Sequence, residues 1–110
     1  MKLEFSNQLG VNAETESVAT ARIVVALDRF QDRIRTVAIV ARDQNGPRCG
    51  VDKSCRLTAH LIGGEAITVS EKDRDFVAAV TKAAERLARS ITRALERQRN
   101  GKHSVSISGL

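Results

Sequence analysis

The stretch DRDFVAAVTKAAERLARSITRALERQ, from Asp73 to Gln98, decides the fold. Within it Val77, Val80, Ala84, Leu87, Ala88, Ile91 and Leu95 recur at three- and four-residue spacing, the pattern of an amphipathic helix lying on an apolar surface. Asp73 reads as the N-cap and Gly101 as the stop, so the helix is expected to end near Gln98. Opposite the apolar stripe, Lys82, Arg86, Arg89, Arg93 and Arg97 fall within roughly 80° of arc at 100° per residue. A merely solvated helix usually interleaves carboxylates with cations at i,i+4, yet Glu85 and Glu96 lie at the edge of this stripe. Like charges side by side cost stability. A row of cations about 5 to 6 Å apart suits a row of phosphates, each contact displacing a counterion. Such contacts position a nucleic-acid backbone without reading its sequence.

The surface beneath this helix is expected to be a sheet. Cys55, Leu57, Ala59 and Leu61 alternate with Arg56, Thr58 and His60, a strand with one apolar face. Gly63-Gly64 follows as a two-residue hairpin signal, and Ile67 and Val69 continue the next strand to Ser70. Upstream, Arg35 to Arg42 is rich in β-branched residues, with Val37, Ile39 and Ala41 on one side and Ala38 and Val40 on the other, so both faces read as partly covered. Asn45-Gly46-Pro47, inside Asp43 to Gly50, is turn chemistry for a hairpin loop.

Before that strand, Glu14 and Glu16 suit a helix N-terminus, and Ala19, Ile23, Leu27, Phe30 and Ile34 make its core stripe, predicting a helix over 13–31. Arg22, Arg29 and Arg33 share one edge of it. Val18 and Val25 lie further from the core stripe and are candidates for a weak homodimer or docking contact. Leu3 and Phe5 alternate with Lys2 and Glu4 in a short edge strand ending near Ser6 and Asn7. The element order is β-α-β-β-β-α: an α+β domain with two helices on one face of a four-stranded sheet, spanning 1–100, with 101–110 expected as a flexible tail.

Composition narrows the function. A chain of 110 residues holds one domain, which excludes a two-domain enzyme, and 3% aromatic residues supply too few rings for a base-stacking platform. Lys and Arg exceed Asp and Glu by 18 to 13, and Val80 to Lys102 alone holds seven cations against two acids, which accounts for the net +5. Cys49, Cys55, His60 and His103 match no usual zinc spacing, and no Cys/His pair has an identifiable orienting residue. Cys55 belongs to the apolar alternation and Cys49 to a loop. Gly63-Gly64 lacks the strand-to-helix context of a phosphate loop. No catalytic constellation, cofactor or metal is expected. Two cysteines without CxxC, no apolar run of roughly 18 residues and no apolar segment near Met1 suit a cytoplasmic protein.

Asp73-Arg74-Asp75-Phe76-Val77-Ala78-Ala79-Val80, followed by Arg86-Leu87-Ala88-Arg89 and Arg93, resembles the last helix of the ribosome hibernation-promoting factor family, also called ribosome-associated inhibitor A. Asp32-Arg33-Ile34 and the segment from Gly46-Pro47 through Gly50 to Arg56 are similar to that family too, so the resemblance covers about residues 1–99. It implies a fold akin to the double-stranded RNA-binding domain. It further implies a seat on small-subunit rRNA, where such proteins exclude messenger and transfer RNA and preserve idle ribosomes under stress. The family's rRNA-contacting faces map onto Lys82, Arg86, Arg89, Arg93 and Arg97, with Arg22, Arg29 and Arg33 as weaker counterparts. Val18 and Val25 interrupt a first helix that is often Lys-rich in the family, Val80-Thr81 stands for the usual Ile-Asp, and a C-terminal dimerisation domain is not expected. The alternative is a protein-interaction or homodimerising module of the same fold without ribosome binding.

Overall fold

The computed structural model describes residues 1–43 and 53–108. The elements are β1 (Lys2–Asn7), α1 (Ala13–Leu27), a 3₁₀ turn (Asp28–Phe30), β2 (Ile34–Asp43), β3 (Lys53–Leu61), β4 (Ala66–Asp73) and α2 (Phe76–Ser108). The order is the expected β-α-β-β-β-α. The loop read at Asn45-Gly46-Pro47, together with Cys49, lies outside the described residues.

The strands lie in the order β1-β2-β3-β4, with β1 parallel to β2 and the other pairs antiparallel. Register explains why one face is apolar. Phe5, Ile39, Leu57 and Val69 stand in one row across all four strands, and Leu3, Val37, Ala59 and Ile67 in another. Because side chains alternate along each strand, both rows point to the same side. That side is covered by the helices: α2 packs over β3 and β4 and against α1. Ala19, Ile23 and Leu27 from α1 and Val80, Leu87 and Ile91 from α2 are completely buried there. Phe5 meets Phe76 edge-on, with ring centroids 6.3 Å apart. The other sheet face has no helix over it among the described residues, so Ala38 and Val40 are half-covered by neighbouring strands rather than by a second layer.

Five boundaries differ from the sequence reading, each for a physical reason. α1 stops at Leu27 rather than Gln31 and tightens into the 3₁₀ turn, where residues i and i+3 eclipse and Phe30 stays on Leu27's side of the helix. Ile34 is buried as the first residue of β2, not as a helical residue. Leu61 and Glu65 close a turn of four residues, Ile62 to Glu65, in which Gly63 and Gly64 have φ of +112° and +103°, values that side chains resist. Finally, β4 runs on to Asp73 and α2 begins at Phe76. Asp75, not Asp73, therefore accepts from the Val77 amide, 3.2 Å away, at the helix N-terminus. At its other end α2 continues past Gly101 to Ser108, since one glycine costs a helix interior only about 1 kcal/mol.

Candidate nucleic-acid interface

The five cations of the α2 stripe are all exposed, but they do not form one electrostatic set. The helix-side positions of β4 read Ile67, Val69, Glu71 and Asp73, turning from apolar to acidic as the strand approaches α2's first turn. These carboxylates, with Glu65 in the preceding turn, meet the stripe's outer edge. Lys82 Nζ lies 3.1 Å from Asp73 Oδ2 and donates to the Lys72 carbonyl. Arg86 Nη1 lies 2.9 Å from Glu71 Oε2 and also donates to the Ser70 carbonyl. Arg97 Nη2 lies 3.3 Å from Glu65 Oε2. The Asp75 backbone N–H, and then Lys82, hold the Asp73 carboxyl below its ordinary range. Three of the five cations are thus compensated by another element, which helical periodicity alone could not register. The half-exposed Arg86–Glu71 pair contributes up to about 1 kcal/mol. Arg86→Ala is expected to lower the thermal midpoint by at most about 8 °C, readable by differential scanning calorimetry.

Arg89 and Arg93 remain on the exposed crest of α2 and take part in no ion pair among the described residues. The same holds for Arg22, Arg29 and Arg33. The structure brings these toward α2, because α1 and α2 run side by side in the same direction. A depression of about 460 Å³ is lined by Ala21, Arg22 and Val25 of α1 with Thr81, Ala84 and Glu85 of α2. Farther along, Arg29 and Arg89 share one of about 480 Å³ with Asp28 and Glu85. The last, of about 760 Å³, joins Arg29 and Arg33 to Arg99, a cation the sequence reading left unassigned. Val25 is 79% exposed and Val18 39%, as their distance from the core stripe predicts.

A second basic surface escaped the sequence reading. On the uncovered sheet face Arg42, Ser54 and Lys72 stand in one row, and Val40, Arg56 and Ser70 in the next. Period-2 alternation marks each of these residues as outward-facing, but only strand pairing gathers them.

Burial pushes the Cys55 thiol up to about 12, so it is protonated at neutral pH and packs as a small core side chain. Among the described residues no group of three metal-binding side chains occurs, and no helix is long and apolar enough to cross a membrane.

Residues 5–99 match the profile of a protein family described as sigma 54 modulation protein / S30EA ribosomal protein. The N-terminal domain of Protein Y from Thermus thermophilus superposes with a TM-score of 0.67 at 19% identity, over 84% of this chain and 98% of that one. A ribosomal subunit interface protein from Coxiella burnetii superposes with a TM-score of 0.72 at 13% identity, over 87% of this chain and 99% of that one. At these identities the two superpositions establish likeness of fold. No curated protein sequence matches the chain.

Proposed function

The chain belongs to the sigma 54 modulation protein / S30EA ribosomal protein family, and from that premise we propose that it is a cytoplasmic ribosome-binding inhibitor of translation. It lays its helix layer on rRNA of the small subunit, where its bulk keeps messenger and transfer RNA out and preserves idle ribosomes under stress. The observation that carries this reading is the division of the cations. Lys82, Arg86 and Arg97 form ion pairs with carboxylates of β4 and its turn, whereas Arg89 and Arg93 form none among the described residues. Unpaired arginines aligned along a rigid helix need little reorganisation to meet phosphates, and each guanidinium can bond two phosphate oxygens.

Arg89 and Arg93 are the principal contacts, with Arg22, Arg29 and Arg33 beside them along the groove. Lys82, Arg86 and Arg97 contribute less, because their partner carboxylates face the same phosphates. The activity needs no bond-making, only electrostatics and shape.

Ribosome co-sedimentation across a salt series tests the reading. With about four phosphates neutralised, log affinity falls with log salt at a slope of about −3 to −4. A flat dependence would count against it.

A further inference from the structure

We infer that the depression between the 3₁₀ turn and the second half of α2 is a nucleotide site, taking one 5′-phosphorylated base. The class of ligand rests on the nucleic-acid reading above, but the site itself rests on its lining: Arg29, Phe30, Arg33, Leu95, Gln98 and Arg99. It is larger than the two other depressions described along the helix pair, at about 760 Å³ against about 480 and 460 Å³, and within the range that accommodates a small organic ligand. Carboxylates enter the lining of the other two, as Glu85 in both and Asp28 in one. Here the described lining carries three guanidiniums and no acid.

The parts match the two halves of a nucleotide. Arg29 Cζ sits 4.7 Å from the Phe30 ring centroid, a cation–π contact that holds the guanidinium at the mouth of the depression. Phe30 is 7% exposed and cannot itself receive a base, but the Arg29 guanidinium it supports is a planar cationic group on which a base can stack. Leu95 adds an apolar wall. Gln98 donates through Nε2 to Glu65 Oε1 at 3.2 Å, which leaves its amide oxygen as an acceptor for a base amino group. Arg33 and Arg99, approaching from the two elements and in no ion pair among the described residues, supply the phosphate contacts.

Calorimetric titration of the full chain with adenosine 5′-monophosphate, inorganic phosphate, adenosine and tetra-adenylate RNA tests this. The mononucleotide should bind at least about tenfold more tightly than phosphate or adenosine, a margin that base stacking supports. Arg33→Gln and Arg99→Gln, both exposed and unpaired by any described residue, should each weaken it about fivefold or more without moving the thermal midpoint. Equal affinity for phosphate and mononucleotide would reduce the cleft to a plain anion site and overturn the proposal. So would wild-type affinity in both variants, or no saturable binding of mononucleotide or RNA at millimolar concentration. Tetra-adenylate binding at least as tightly as the mononucleotide assigns the site to an RNA strand; binding of the mononucleotide alone assigns it to a free nucleotide. All titrations use the free protein, so their failure leaves ribosome binding standing, and loss of ribosome binding in crest variants leaves this site standing.

Discussion

Reversing Arg89 and Arg93 to glutamate is expected to weaken ribosome binding at least about 100-fold at physiological salt while moving the thermal midpoint by only a few degrees. The magnitude comes from two charge-assisted contacts, each contributing about 1.5 to 3 kcal/mol, with repulsion added once the sign is reversed. Stability is spared because both side chains are exposed and neither ends a cap, an ion pair or a core contact among the described residues. The informative comparison is with Lys82 and Arg86. A glutamate at position 86 would face Glu71, and one at position 82 would face Asp73, so reversal there costs stability as well as charge. If binding follows net charge alone, both double reversals weaken it equally. If it follows the crest cations that form no ion pair among the described residues, the Arg89/Arg93 pair dominates. Co-sedimentation beside calorimetry reads both quantities, and wild-type binding by the crest variant refutes the proposed interface.

That contrast also locates where sequence reasoning reaches its limit. The layers were legible because burial imposes periodicity: Val80, Leu87 and Ile91 on α2, Ile23 and Leu27 on α1, and Leu57 and Ala59 on β3 all lie where three-four or two-residue spacing places them. Boundaries were less legible. The Leu27-to-Ile34 passage depends on Phe30 remaining in the core through a tightened turn, a tertiary demand that overrides local pattern. The electrostatics of the site were legible only in half. Along α2 alone, the stripe reads as five unopposed charges, because the partners of Lys82 and Arg86 belong to β4 and that of Arg97 to the turn before it. The signal was nonetheless available in β4's own alternation, where Ile67 and Val69 give way to Glu71 and Asp73 on the helix side. Arg99 was missed for a related reason: it leaves the stripe and joins Arg29 and Arg33 only once α1 is docked.

Ala83→Glu is expected to abolish cooperative folding, whereas Ala88→Glu, five residues along the same helix, is expected to fold and to bind the ribosome more weakly. Ala83 has no exposed surface and lines none of the depressions described, so a glutamate there has no route to water. Burying a carboxylate without a partner costs several kcal/mol even after it protonates, and overpacking against the sheet adds to that. A domain of this size has only about 5 to 15 kcal/mol of stability in all. Ala88 is 8% exposed and opens onto the depression that holds Arg29 and Arg89. A glutamate at that position can extend outward to these two guanidiniums, regaining solvation and a charge partner. The same contact neutralises cations assigned to rRNA, so the variant should keep a sharp thermal transition and lose about tenfold or more in ribosome affinity, the equivalent of one charged contact. Urea denaturation and co-sedimentation of both variants decide the matter. An Ala83→Glu protein that unfolds cooperatively near the wild-type midpoint would disprove the packing of α2 on the sheet. An Ala88→Glu protein that folds and binds like wild type would remove Arg29 and Arg89 from the interface.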